Sequence, residues 1–224
     1  METKRRGGRP DTRMSEELDK LILHTASRLF GEQGYAATSV EQIAAVAKVG
    51  KQTIYRRYAS KEALFKTVIT DLGQSFLAAA TPSDDSVSLN PLLALQQTMR
   101  KLLDLVLAPE TVALSRTFIG EAWRFPDLVE HAGASIFLPL EQLTHELLTA
   151  VEKTGFLKLQ ESLELTSRAL TGLLLGCPHQ HVLFGRDFLQ TAEERDRYLE
   201  ISWRNFMTGI LSEKGLAALE GKSS

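Results

Sequence analysis

Thr38-Ser-Val-Glu-Gln-Ile-Ala-Ala-Val-Ala-Lys-Val-Gly-Lys-Gln-Thr-Ile-Tyr-Arg-Arg-Tyr58 holds two short helical runs around a three-residue turn. Thr38 and Ser39 offer caps for the first run, which extends to Ala47 with Ile43, Ala44 and Ala47 on one face. Lys48-Val49-Gly50 turns the chain into a second run, Lys51 to Tyr58, too short to be stable by itself. Ala44 and Ala47 permit close crossing, while Val49 and Ile54 fill the angle, and together these meet the requirements of a helix-turn-helix. Such a motif sets the N-terminal end of its second helix in the DNA major groove, so Lys51, Gln52 and Arg56 are the expected base readers. Lys and Arg donate to guanine and Gln bonds adenine on both sides, each good pair contributing about 1–3 kcal/mol of discrimination. Thr53, Tyr55 and Lys61 suit phosphates, as does Thr38 at a helix start where backbone N–H groups favour an anion. Tyr58 is expected to pack inward. The bland alternative, an idle solvated face, fits poorly with a helix and an N-terminal segment that are basic together.

Outward from this stretch every periodicity is helical. Leu18, Leu21, Ile22, Thr25, Ala26, Leu29 and Phe30 recur at steps of three and four after Ser15, and Gly34 ends that helix. Residues 1–14, basic and rich in Gly, show no such period and read as a flexible basic arm. Ser60 caps a fourth helix striped by Leu64, Phe65, Val68, Ile69, Leu72 and Phe76. Residues 81–91 are dense in turn formers and read as a linker. Beyond it the pattern predicts helices over 91–107, 110–124, 127–154 with a break or kink near Gly133 to Pro139, 161–184 and 192–213. The fold class is all-α: a helix-turn-helix DNA-binding domain over 15–62 and a helical effector-binding and dimerisation domain over 63–224.

Composition agrees. A chain of 224 residues with 43% hydrophobic content builds one good core or two modest ones. The net charge of −2 conceals a division: residues 1–61 hold 12 Lys/Arg against 7 Asp/Glu, and the remainder 14 against 21. A basic head on an acidic body suits a protein of which one end alone meets phosphates. The single cysteine, Cys177, excludes an internal disulfide and a cysteine-rich metal module. No signal peptide or membrane-length apolar run is evident, so a cytoplasmic protein without membrane association is expected.

The run Thr38 to Phe65, preceded by Ala26-Ser-Arg-Leu-Phe-Gly-Glu-Gln-Gly-Tyr35, resembles the TetR family of bacterial repressors. The chain carries the family's Ala-x-x-Leu-Phe-x-x-x-Gly-Tyr first helix, its Thr-Ile-Tyr recognition helix and its Ser-Lys-Glu-x-Leu entry to the fourth helix. The resemblance implies phosphate contacts from Tyr55 and Lys61, a homodimer, and repression relieved by a small effector. Two departures stand out. The turn usually reads Gly-Val-Ser, so Lys48 sits where Gly would accept a positive φ, at a cost of about 1 kcal/mol. The cap then moves from Ser to Gly50, a weaker N-cap. Phe118-Ile-Gly-Glu-Ala-Trp-Arg-Phe-Pro-Asp-Leu128 is also similar to the second domain of the AefR-like subgroup.

In the body, Leu170, Leu174, Cys177 and His181 lie along one helix flank, where Gly172 and Gly176 allow close packing. Tyr198, Ile201, Trp203, Phe206, Ile210 and Leu211 make the last helix apolar on more than one side, and this excess calls for a second copy of the chain. Met99, Phe118, Glu121, Trp123, Phe125, Phe137 and His145 combine apolar bulk with few polar groups, as an effector pocket does, although a filled core has the same composition. Cys177-Pro-His179-Gln-His181 is not read as a metal site, because residues two apart on a helix point apart and no fourth ligand is marked. No catalytic constellation or cofactor motif stands out, so no enzyme and no cofactor are expected. A dimeric repressor acting on double-stranded palindromic DNA and released by a small hydrophobic effector is the leading reading. A helical ligand-binding or scaffold protein using its helix-turn-helix for protein contacts is the rival.

Overall fold

A computed structural model of the chain describes residues 12–219, which form thirteen α-helices; the predicted arm over 1–11 lies outside the described residues. Residues 12–14, predicted to belong to that arm, instead form the first turn of α1 (Thr12–Gln33). Gly34 ends α1 at φ +84°, its N–H bonded to the Phe30 carbonyl at 3.0 Å. α2 (Val40–Ala47) and α3 (Lys51–Arg57) follow, then α4 (Lys61–Ala80), whose N-cap Ser60 accepts from the Ala63 N–H.

Two apolar cores share a wall. The head core gathers Ile22, Ala26, Phe30, Ile43, Ile54 and Phe65. Phe30 and Phe65 meet edge to face at a centroid distance of 4.9 Å. Leu64 to Ile69 of α4 lie in this core, while Phe76 and Ala80 lie in the body core, so the division between units falls inside α4 and not at residue 62. The head is completed from outside. Leu114 of α7 (Pro109–Ala122) and Leu128 and Ala132 of α8 (Pro126–Ala132) are buried in it. Thr117 of α7 donates to the Phe30 carbonyl at 2.8 Å, and Gly31 of α1 leaves room for Ala113.

The predicted linker contains α5 (Asp84–Leu89), capped by Ser83 and without a buried residue, so its turn formers serve as caps at both ends. α6 (Pro91–Leu107) supplies Leu95, Met99, Leu102 and Leu103 to the body core. The predicted break near Gly133–Pro139 is a π-turn, Gly133–Phe137, joining α8 to α9 (Leu138–Lys153) without interrupting the helix. A second π-turn, Gly172–Gly176, joins α10 (Leu163–Thr171) to α11 (Cys177–Leu183). A proline follows each turn by two residues, Pro139 and Pro178. Proline lacks the N–H for the i→i−4 bond and clashes with that carbonyl, and the wider turn relieves both. A Cβ on Gly73 of α4 would lie 2.2 Å from the Ser135 carbonyl oxygen in the first π-turn, so only glycine lets α4 cross there.

α12 (Ala192–Ile210) starts from a capping box between Thr191 and Glu194 and buries Leu199, Trp203 and Met207. α13 (Glu213–Leu219), not anticipated from periodicity, is set by hydrogen bonds from Ser212 N–H to Phe156 and from Lys158 N–H to Ile210. None of the described helices is long and apolar enough to cross a membrane.

Candidate nucleic-acid interface

The reading helix α3 is seven residues long and buries Ile54 alone among its own residues, so its neighbours hold it. Ser39 caps α2 through a capping box: its hydroxyl accepts from the Gln42 N–H at 3.1 Å and Gln42 Oε1 accepts from the Ser39 N–H at 2.7 Å. Lys48 closes α2 in the left-handed region, φ 54°, the positive φ that the departure from glycine anticipated. Gly50 then precedes α3 with no side-chain cap. At the far end the Arg57 guanidinium reaches Asp19 and Ser15 of α1, and the buried Tyr58 donates to Asp19 at 3.4 Å. Burial first, and then the Asp19 charge, push the Tyr58 hydroxyl up to about 12.

This leaves Lys51, Gln52, Tyr55 and Arg56 exposed on the outer side of α3, with Thr53 half-buried beside them. Lys51 is ion-paired with Glu41 of α2, and its ammonium lies 5.5 Å from the Tyr55 ring centroid. The hydrogen bond between them lowers the Glu41 carboxyl and raises the Lys51 ammonium. Glu41 was missed in the sequence because its partner stands ten positions away, across the turn. The pair is solvent-exposed, and such pairs exchange readily for another anion.

Two expected phosphate contacts are corrected. Thr38 is buried, and its hydroxyl donates to the Gly34 carbonyl at 2.8 Å and the Leu29 carbonyl at 3.1 Å, tying off α1. The Lys61 ammonium donates to the Tyr35 carbonyl at 2.7 Å and the Thr38 carbonyl at 2.9 Å, and it lies 4.3 Å from the Tyr35 ring centroid. Burial lowers its pKa. Both side chains brace the loop ahead of α2, whose carbonyls would otherwise lack donors.

The seven residues read as an effector pocket do not converge. Met99 is fully buried in the body core, Phe118 and Phe125 pack on the head core, and Trp123 (96% exposed), Phe137 and His145 face solvent. α7 turns its inner side toward α1, which places Trp123 on the outside. Glu121 is partly buried beside Arg124, with Oε2 lacking a hydrogen-bond partner.

Most of the residues expected to form a dimer face pack within the subunit instead. Leu170, Leu174 and Trp203 are buried in the subunit's own core, against which Tyr198, Phe206 and Ile210 also pack. Tyr198 donates to the Leu173 carbonyl at 2.6 Å, and His181 packs on Phe188. Cys177 is exposed, as are Leu165 and Ala169 of α10, Gly172, Leu173 and Gly176 of the second π-turn, and Ile201 of α12.

Comparison with known proteins agrees with this architecture. Residues 22–68 match the family model for bacterial regulatory proteins of the tetR family, and residues 93–209 match that for the C-terminal domain of AefR-like transcriptional repressors. The HTH-type transcriptional regulator TcmR of Streptomyces glaucescens is 38% identical over 84 residues, covering 37% of this chain and 35% of that protein. The chain spans about a third of the length of the curated relatives it matches. A solved structure from Mesorhizobium loti, described as a TetR-family transcriptional regulator, superposes with a TM-score of 0.78 at 25% identity over 88% of this chain and 98% of that one. The Flavonoid-responsive Regulator FrrA superposes with a TM-score of 0.69 at 25% identity, covering 88% of this chain and 99% of that one.

Proposed function

The chain belongs to the TetR family of bacterial DNA-binding transcriptional regulators, and on that premise we propose that it is a homodimeric repressor released from a palindromic operator by a small effector. The observation that carries the reading is the outer row of α3, Lys51, Gln52, Tyr55 and Arg56, presented to solvent by a helix whose buried anchor is Ile54. Lys51, Gln52 and Arg56 read base edges; Thr53 and Tyr55 hold phosphates. On meeting DNA, Lys51 exchanges Glu41 for the nucleic acid, so the carboxylate screens the lysine until an operator is present.

A second copy covers Leu165 and Ala169 of α10 and Gly172, Leu173 and Gly176 of the second π-turn, together with Ile201 of α12. Gly172 and Gly176 have open space where a Cβ would project, which suits close helix packing. The match to the AefR-like repressor domain supports repression over activation. Selection of bound duplexes from a random pool at near-physiological salt tests the reading. The expected product is a palindrome with half-sites one helical turn, about 34–36 Å, apart or a multiple of it. Absence of enrichment, or enrichment of single half-sites by a protein that sediments as a monomer, overturns it.

A further inference from the structure

A cavity of about 580 Å³ opens where the end of α6 and the start of α7 meet the loop between α11 and α12, away from all seven residues expected to form a pocket. Four arginines reach it, Arg100, Arg116, Arg186 and Arg195, against two carboxylates, Asp104 and Asp187. The excess positive charge is built in. Arg116 donates through Nε and Nη2 to the Leu183 and Val182 carbonyls at the end of α11. Arg195 donates to Asp104 and to the Leu189 and Gln190 carbonyls, and Arg100 binds Asp104 and Asp196. Burial works to raise the Asp104 carboxyl, but hydrogen bonds and charge from Arg100 and Arg195 hold it below its ordinary value.

Some donors remain unused. Arg116 Nη1 and Arg195 Nη2 make no hydrogen bond among the described residues, and Arg186 makes no ion pair among them. α7, fourteen residues long, begins at Pro109 behind Ala108 with no side-chain cap, and both residues line the cavity. Its unsatisfied first-turn N–H groups and the positive end of its dipole therefore add to the arginines. The remaining wall is apolar: Leu107, Val182, Phe188 and Leu189. Leu189 holds φ +53°, a conformation rare for leucine, in a loop pinned by Arg195.

We propose that this cavity binds a small flat aromatic acid, its anionic group held by Arg186 and the open end of α7 and its ring packed on Phe188 and Leu107. The volume is that of a small-molecule site, and bidentate pairing with guanidinium favours a carboxylate over a neutral group of the same shape. What occupancy does rests on the release by an effector proposed above. α7 carries Arg116 on the cavity and Thr117, one residue on, bonded to α1, so a ligand wedged beside α7 is coupled to the head through that helix.

The test uses 2-naphthoate and its neutral counterpart 2-naphthamide, titrated calorimetrically into the full-length chain. Saturable binding of one naphthoate per chain is expected, with the amide about tenfold weaker or more. Arg186→Gln is expected to weaken naphthoate by a similar factor and to narrow the gap between the two compounds. Ala192→Trp, a surface change at the start of α12 that fills the cavity, should abolish binding with the thermal midpoint unchanged. Equal binding of acid and amide, no saturation at millimolar ligand, or indifference to both variants overturns the proposal. Operator affinity with and without naphthoate separates the two readings. Binding that respects both variants and leaves operator affinity unchanged keeps the anion site and removes effector release.

Discussion

The head and the body are built from the same kind of helix but differ in how many apolar sides each helix carries. In the head, α2 and α3 each have one buried side, and what remains is free to face DNA. In the body, α10, the π-turn that follows it and α12 are apolar on two sides, one turned into the subunit and one outward at Leu165, Leu173 and Ile201. A one-sided helix states its orientation in its own sequence. A two-sided helix leaves the choice to its neighbours.

Phe65 lies in the head core and touches Phe30 and Tyr35. Phe65→Ala is expected to cost about 3–5 kcal/mol, read by chemical denaturation. Because the head core draws on α7 and α8, the body should unfold in the same transition; a body that stays folded while the head melts would show the two regions to be independent. Gly73→Ala forces a methyl toward the Ser135 carbonyl and is expected to cost about 1–3 kcal/mol, the range for overpacking. An unchanged midpoint would mean that the crossing of α4 over the π-turn yields without strain.

Lys48→Gly tests the head alone. It removes a side chain from a left-handed cap, and a gain of up to about 1 kcal/mol in stability is expected, with α3 left in place. Tyr58→Phe removes the hydrogen bond to Asp19 and is expected to cost up to about 1 kcal/mol near neutrality, with its distinguishing effect in alkali. Folded Tyr58 keeps its proton to about 12, whereas the unfolded chain releases it near 10. The stability involved is complete below about pH 10 and is lost as pH rises through 12, so the phenylalanine variant should show a shallower alkaline decline over that interval. Parallel declines would place the alkaline transition elsewhere.

The same contrast decides what could be read in advance. The helix-turn-helix, its anchor Ile54, the inward Tyr58 and the exposed row on α3 follow from local spacing and turn chemistry. Thr38 and Lys61 were misplaced because their partners are backbone carbonyls of a loop whose path no periodicity describes. In the body, the positions of the long helices were legible to within a few residues and the first π-turn was signalled by Gly and Pro as a break, whereas α5, α13 and the second π-turn were not. Which flank of α10 and α11 faces inward was not legible, since Leu170 and Leu174 on one side and Leu165 and Leu173 on the other satisfy the same pattern. The effector residues failed for a related reason: α7 spends its inner face on α1, a contact between residues 87 positions apart.

Leu114, Leu128 and Ala132 bear on how regulators of this build exchange parts. A recombination that joins the first sixty residues of one such protein to the sensor of another transfers a reading head without the three side chains that close its interior. Successful hybrids should therefore inherit α7 and α8 with the head, or arise between parents whose residues at these three positions are interchangeable.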